Sequence, residues 1–241
     1  MQSKGLDYRD GAVTCKGFLA WDEKQSGTRP GVVLFPEAFG IGEHVMVRAR
    51  RLAGLGFVAL AADPYGEGAT ARSLPQAIEL MGGVRGDVNK WRARARAALD
   101  ALSQQANVDR GKLAAIGYCF GGSTALELGR SGAPLGAIVS FHGGLECPRP
   151  EDSANIRAKV LVCSGADDPM IPTTQVAAFE EQMRKTKVDW QVQVYGGTVH
   201  SFTNPDADKL GNPALAYNPS ADKRSWKAML ELFGEAFGTA A

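Results

Sequence analysis

Short apolar runs alternate with longer amphipathic segments along most of the chain. The apolar runs predict strands at residues 31–35, 57–62, 113–116, 135–141, 159–163 and 190–195. A loosely alternating stretch predicts one further strand at residues 13–21. Several of the runs have no polar face, which is typical of strands that are covered on both sides. The pattern therefore predicts a mostly parallel sheet between two layers of helices.

The segments between these runs carry the pattern of helices. Helices are predicted at residues 44–55, 74–81, 87–105, 123–129, 173–185 and 221–237. Gly56 is expected to end the first and Gly82-Gly83 the second, because glycine favours helix ends. Strands and helices alternate without a repeat or a linker, which predicts one α/β domain over residues 1–241. In such a sheet the active site lies at the carboxyl ends of the strands.

Composition and charge exclude several classes of function. The chain has 241 residues, of which 44% are hydrophobic, and 27 Lys+Arg against 26 Asp+Glu give a net charge of +1. This balance offers no basis for binding nucleic acid or a membrane surface. Three clustered arginines, Arg92, Arg94 and Arg96, are predicted to lie on a solvated helix face. Four cysteines without a CxxC pair, and a start without an apolar segment, predict a cytoplasmic protein. We expect it to be a monomer or a homodimer.

A tight turn after the strand at 113–116 carries the strongest chemical signal. Residues 117–122 read GYCFGG, between a predicted strand and a predicted helix, which is the context of a nucleophile elbow. Gly117 and Gly121 suit it because larger side chains would collide at the strained turn. Cys119 stands at the apex, where a thiolate serves as the nucleophile. The plainer interpretation is a buried core cysteine, and the glycine frame and the strand–turn–helix setting outweigh it.

Only three histidines are available as the base for this nucleophile. In this architecture the chain order is nucleophile, acid, histidine. His44 precedes the elbow and opens a helix, so a surface role is expected, and His142 is expected to line or support the pocket floor. His200 follows the last predicted strand and is the predicted base.

The acid should lie between the elbow and His200, at the end of a strand. The turn at residues 165–172 reads GADDPMIP and offers Asp167 and Asp168, either of which could instead cap the next helix. Asp168 is favoured because it stands four residues before Pro172, a spacing seen in many proteins that resemble this predicted fold. The backbone N–H groups of Phe120 and Ala38 are the predicted oxyanion hole.

Glu37 adds a carboxylate beside the predicted oxyanion hole. A solvent-exposed loop acid is one interpretation. The other is that Glu37 modulates the ionisation of Cys119, because a nearby negative charge raises the pKa of a thiol.

Taken together, five motifs resemble the dienelactone hydrolase family of α/β-hydrolases over nearly the whole chain. They are EAFG at 37–40, DPYGEG at 63–68, GYCFGG at 117–122, GADD at 165–168 and HSF at 200–202. The resemblance implies a triad of Cys119, Asp168 and His200, with Glu37 taking part in activating the thiol. It also implies hydrolysis of an ester or lactone through an acyl-enzyme, without metal or cofactor.

The chain departs from the family pattern where dienelactone-cleaving members hold the substrate carboxylate with two arginines. The corresponding residues here are Glu67 and Asn204, neither of which can act as a cationic clamp. The expected substrate is therefore a small, neutral ester or lactone, in a pocket with an apolar lining. The predicted lining residues are Phe39, Tyr65, Phe120, Met170 and Phe202. The alternatives are a hydrolase of other activated esters, including phosphotriesters, and a catalytically silent binding module.

Overall fold

The computed structural model describes residues 1–238, which fall into two compact units divided after Ile116. The division lies inside a strand, β5 (Val108–Tyr118). The sequence gives no composition change at this point, and the single domain expected over residues 1–241 stays a prediction.

The first unit contains the amino-terminal strands and three helices. Its elements are β1 (Gln2–Asp10), β2 (Val13–Trp21), β3 (Arg29–Phe35), α1 (Glu43–Gly54), β4 (Val58–Ala61), α2 (Leu74–Arg85), α3 (Val88–Ser103) and most of β5. The strands follow the order β1-β2-β4-β3-β5. β1, β2 and β4 pair antiparallel, whereas β3 and β4 pair parallel, with Gly31 opposite Val58.

The second unit repeats an alternation of helix and parallel strand. Its elements are α4 (Phe120–Arg130), β6 (Ala137–Phe141), β7 (Lys159–Gly165), α5 (Thr173–Arg184), β8 (Trp190–Tyr195) and α6 (Pro219–Phe237), with 3₁₀ turns at Pro150–Asn155 and Ala207–Leu210. β6, β7 and β8 pair parallel in that order. The helices α4 and α6 both pack on β6. The predicted parallel α/β arrangement is confirmed in these pairings.

The strands β3, β4, β6 and β7 are buried along almost their whole length. Every residue of β4 and β6 is buried, and β3 and β7 each have one half-buried position. Their sequences consist mainly of Val, Leu, Ile, Ala and Phe, which gain the most from leaving water. This explains why uninterrupted apolar runs, rather than alternating ones, located these strands.

The strand β1 was not predicted, because its residues are mostly polar and exposed. It pairs with β2 as an outer strand, where backbone hydrogen bonds rather than side-chain burial hold it. The solvated position predicted for Arg94 was wrong, because its partner lies on this unpredicted strand. Its side chain is buried, and its Nε donates to Asp10 on β1 at 2.7 Å.

The helix α2 continues through the two glycines that were expected to end it. It runs to Arg85, because Gly82 and Gly83 have ordinary helical backbone and no neighbouring atom that a Cβ would meet. Glycine weakens a helix interior without forbidding it.

We predict that Gly82→Ala stabilises the protein by about 0.5–1 kcal/mol, because alanine loses less backbone entropy on folding. Gly132, just beyond α4, is the matched control: it also has open space around it, but its φ is +77°. There alanine should destabilise by roughly 1–2 kcal/mol. Urea unfolding of both variants measures the effect, and equal responses at the two sites would contradict the backbone explanation.

Candidate active site

Cys119 occupies a strained turn between β5 and α4. Its φ of 53° and ψ of −117° lie in a region that residues with side chains rarely adopt. The backbone N–H of Cys119 donates to the carbonyl of Phe141 at 3.0 Å, which ties the turn to the end of β6. The side chain is partly accessible. These features match a nucleophile elbow.

The glycines around this turn are required by close backbone approach. A Cβ on Gly117 would overlap the carbonyl of Gly121, and a Cβ on Gly122 would come within 2.5 Å of Ser140 Oγ. The first turn of α4 therefore packs directly against β6. Any larger residue at these positions would push the helix, and Cys119 with it, away from the strand.

His200 and Asp168 form a buried pair in the same unit. His200 Nδ1 lies 2.7 Å from Asp168 Oδ2, and both residues are only 3% exposed. The other carboxylate oxygen of Asp168 accepts the N–H groups of Met170 and Ile171 at 2.8 and 3.2 Å. Asp167 is exposed and uses its backbone N–H to bind Thr198. Asp168 is thus the carboxylate that can orient His200.

The loop that carries His200 is held by backbone pairing. The N–H of His200 donates to Ala214 at 3.1 Å, and its carbonyl accepts from Ala216 at 3.2 Å. These two bonds form a short parallel bridge with Leu215. They fix the position of the imidazole from its backbone as well as from Asp168.

The electrostatic surroundings of His200 favour its charged form. Burial by itself lowers the pKa of His200, but the negative charge of Cys119 and the hydrogen bonds of the imidazole to Asp168 and to Cys119 raise it, and the net effect is a pKa of about 10. At neutral pH this arrangement suits an imidazolium that faces a thiolate.

His142, expected to support the pocket floor, lies beside the elbow. It is fully buried, and its Nδ1 accepts a hydrogen bond from the Cys119 N–H at 3.1 Å. Its Nε2 lies 2.8 Å from Thr203 Oγ1. Sequence reasoning did not find Thr203, because a single threonine three residues after a histidine carries no motif.

The first unit holds Glu37 and Ala38 on the loop after β3. Glu37 Oε2 lies 3.5 Å from His44 Nδ1, so His44 is engaged and mostly buried rather than a surface residue as expected. The hydroxyl of Tyr65 donates to the carbonyl of Ala38 at 2.6 Å. This contact gives Tyr65 a part in fixing the loop.

The loop that carries Tyr65 is organised by Asp63, which sequence reasoning passed over. The buried carboxylate of Asp63 accepts four backbone N–H groups at 2.8–3.0 Å, from Lys16, Tyr65, Gly66 and Gly68. Its position directly after β4 in a turn rich in Gly and Pro was the available signal.

The remaining predicted lining residues differ in exposure. Met170 is 43% exposed, Phe39 is half-buried and Phe120 is buried at the first position of α4. Phe202 is fully buried, with its ring against His142 and Tyr195 at centroid distances of 5.1 and 5.6 Å. Substrate contact by these residues stays a prediction.

The family model described as the dienelactone hydrolase family matches residues 15–237. The chain belongs to the dienelactone hydrolase family. Its strands, helices and elbow accordingly form the α/β-hydrolase fold. Membership makes the protein a hydrolase of ester bonds.

Three proteins illustrate what the chain is similar to. A crystal structure of a dienelactone hydrolase-like promiscuous phosphotriesterase, P91, from metagenomic libraries is 52% identical, with a TM-score of 0.95 over 98% of this chain and 99% of that one. A dienelactone hydrolase-like structure from Klebsiella pneumoniae is 23% identical, with a TM-score of 0.83 over 97% and 98%, and supports the fold. A probable 2-oxo-3-(5-oxofuran-2-ylidene)propanoate lactonase of Bradyrhizobium is 28% identical over 85% of this chain and 83% of that protein.

The two positions at which the family resemblance expects arginines are engaged locally. Glu67 Oε1 accepts the N–H of Thr14 at 3.1 Å and its own N–H donates back to Thr14, at a positive φ of 56°. Asn204 accepts the N–H of Asp206 at 3.0 Å within its own turn. Both side chains therefore have a structural use here.

The described part of the chain shows neither a metal-binding cluster nor a membrane-spanning helix. Within residues 1–238, no cluster of three or more His, Cys, Asp or Glu side chains is arranged to hold a metal ion. No helix of that part of the chain combines the length and the apolar character needed to cross a bilayer.

We predict that His200 remains protonated through neutral pH and loses its proton near pH 10. Removing either raising influence, by Cys119→Ala or Asp168→Asn, should move the midpoint down, because burial then acts with less opposition. Asp167→Asn is the matched control and should leave it in place. Imidazole NMR titration gives the midpoints. A larger effect of Asp167→Asn than of Asp168→Asn would move the orienting role by one residue.

Proposed function

We propose that the protein hydrolyses small neutral esters or lactones with Cys119 as nucleophile, His200 as base and acid, and Asp168 as the orienting carboxylate. The observation that carries this is the buried hydrogen bond between His200 and Asp168, together with the pKa of His200, which the charge of Cys119 raises. A binding module needs none of these costly features: a strained cysteine, a buried carboxylate and a buried imidazole.

The first half of the reaction forms a thioester. The Cys119 thiolate attacks the carbonyl carbon, and the carbonyl electron pair moves onto oxygen. Collapse of this tetrahedral species breaks the bond to the leaving oxygen, which receives the proton from His200 Nε2. The product is an alcohol or, for a lactone, the opened chain still joined to Cys119.

The second half consumes water. His200, now neutral, takes a proton from water as the oxygen attacks the thioester carbon. The second tetrahedral species expels the Cys119 thiolate and releases a carboxylic acid. The proton stays on His200, so the thiolate–imidazolium pair is restored and ester plus water has become acid plus alcohol.

The negative oxygen of both tetrahedral species needs hydrogen-bond donors. Phe120 directly follows Cys119 and opens α4, so its N–H lies at the positive end of that helix. We assign the Phe120 N–H to this role on that basis. Ala38 as the second donor rests on its place in the loop after β3, and Glu37 as the group that modulates the thiol rests on the family resemblance. A cytoplasmic location and a monomeric or homodimeric state stay predictions.

Phosphotriesters are a second candidate class of substrate. The 52% identical relative is described as a promiscuous phosphotriesterase. The same thiolate can attack phosphorus and displace an aryloxide, which forms an S-phosphoryl enzyme. Water must then release the dialkyl phosphate in the step that His200 assists. Turnover of such substrates therefore depends on dephosphorylation of Cys119.

We predict that Cys119→Ala lowers kcat/KM for p-nitrophenyl acetate and for an aryl dialkyl phosphate by at least about a thousandfold. Cys119→Ser should retain more activity than Ala, but little, because a hydroxyl needs a stronger base than a thiol does.

The control is Cys147→Ala, since Cys147 is the other partly accessible cysteine. It should keep wild-type turnover and wild-type inactivation by iodoacetamide. Loss of ester hydrolysis without loss of phosphotriester hydrolysis in Cys119→Ala would separate the two activities and reject a shared nucleophile.

We further predict a higher kcat/KM for neutral aryl esters than for carboxylate-bearing lactones of similar size, because Glu67 and Asn204 provide no cation. Glu67→Arg with Asn204→Arg should improve the anionic substrate by about tenfold relative to the neutral one. Glu67→Gln is the control, since it removes the charge but keeps an oxygen for the Thr14 N–H. Wild-type preference for the anionic lactone would contradict the proposed substrate class.

A further inference from the structure

A second histidine lies within van der Waals reach of the proposed triad and is not used in the mechanism above. The ring of His142 packs edge to face against the ring of His200, with centroids 5.1 Å apart. Its backbone φ is 41°, and its N–H donates to Cys163 on β7 at 2.8 Å. A histidine in a left-handed conformation at full burial is held there against its own preference.

The hydrogen bonds of His142 determine where its ring proton lies. The Cys119 backbone N–H can only donate, so Nδ1 of His142 must carry a lone pair. In the neutral ring the proton is then on Nε2, and it points to Thr203 Oγ1 at 2.8 Å. Thr203 is itself 1% exposed, so this is a buried contact.

This choice of tautomer affects the neighbouring charges. The ionisable groups around His142 are the Cys119 thiol, the His200 ring with Asp168 behind it, and Tyr118, whose ring lies 6.2 Å away. A second positive ring 5.1 Å from the ring of His200 would lower the pKa of His200, because like charges at this distance repel. A neutral His142 avoids that repulsion.

We propose that His142 is a positioning residue: Thr203 fixes it as the neutral Nε2–H tautomer, in which it holds the Cys119 peptide and leaves the positive charge to His200. The proposal rests on the proposed function of Cys119 and His200. His142 does not touch the reacting atoms, and it acts through the backbone of Cys119 and through its own lack of charge.

The tautomer is tested directly on the unmodified protein. Two-dimensional imidazole ¹⁵N NMR should show His142 as neutral Nε2–H, unchanged from about pH 6 to about pH 9, while His200 is protonated. A His142 signal that titrates in this interval, or that shows the Nδ1–H tautomer, would overturn the proposal. The measurement uses the wild-type protein and does not involve activity, so it does not depend on whether any variant folds.

The hydrogen bond from His142 Nε2 to Thr203 Oγ1 is tested by Thr203→Val, which keeps the shape of the side chain and removes the acceptor. The loss of this acceptor for the Nε2–H group of His142 should lower kcat by about tenfold and leave KM within about twofold. Thr203→Ser returns a hydroxyl and should restore most of the lost kcat. If Thr203→Val has wild-type kcat and an unchanged His142 spectrum, Thr203 does not fix the tautomer of His142.

The acceptor is tested by comparing His142→Asn with His142→Leu. Asparagine can place an oxygen near the position of Nδ1 and keep the Cys119 N–H bond, whereas leucine fills similar space without an acceptor. The rate of iodoacetamide alkylation at Cys119 should fall less in the Asn variant. Equal rates would reject a role for this hydrogen bond. Wild-type activity in Cys119→Ala would instead reject the proposed function, whatever tautomer His142 has.

Discussion

The contact on which the site depends is the buried hydrogen bond between His200 and Asp168. At 2.7 Å, with both groups almost without exposure, this contact fixes the imidazole, and the negative charge of Cys119 raises the pKa of His200 further. A buried imidazole alone would be neutral, because burial lowers its pKa. Two negative neighbours reverse that tendency. The His200 imidazole is therefore expected to be charged at neutral pH, next to Cys119.

The packing around Cys119 holds its strained backbone in place. The positive φ of Cys119 is a local cost, and the surrounding packing offsets it: Gly117 and Gly122 allow α4 to approach its own turn and β6 closely. His142 and Phe141 share the Cys119 N–H. The nucleophile is thus held by glycine packing on one side and by backbone hydrogen bonds on the other.

Features that depend on the burial of apolar residues could be predicted from the sequence, whereas features held by local backbone pairing could not. The bounds of β2 and β8 were predicted to the residue, and the elbow and the family were found, because apolar runs and glycine spacing report burial and close approach. β1 was missed because an exposed outer strand is held by backbone bonds. α2 was predicted too short because Gly82 was expected to end the helix, whereas it lies in the helix interior. Residues whose role is set by a single tertiary contact left no pattern. Thr203, whose side chain contacts His142, belongs to this group.

The account depends most on a covalent acyl intermediate at Cys119. The direct measurement is mass spectrometry of the intact protein and its peptides, after rapid acid quench of a reaction with p-nitrophenyl acetate. We expect one acetyl group, on the peptide that contains Cys119, formed at the rate of the p-nitrophenol burst and absent in Cys119→Ala. A burst of p-nitrophenol with the acetyl group on another residue, or steady turnover with no acetylated species at any quench time in the wild type and in variants slowed at deacylation, would contradict the proposed mechanism.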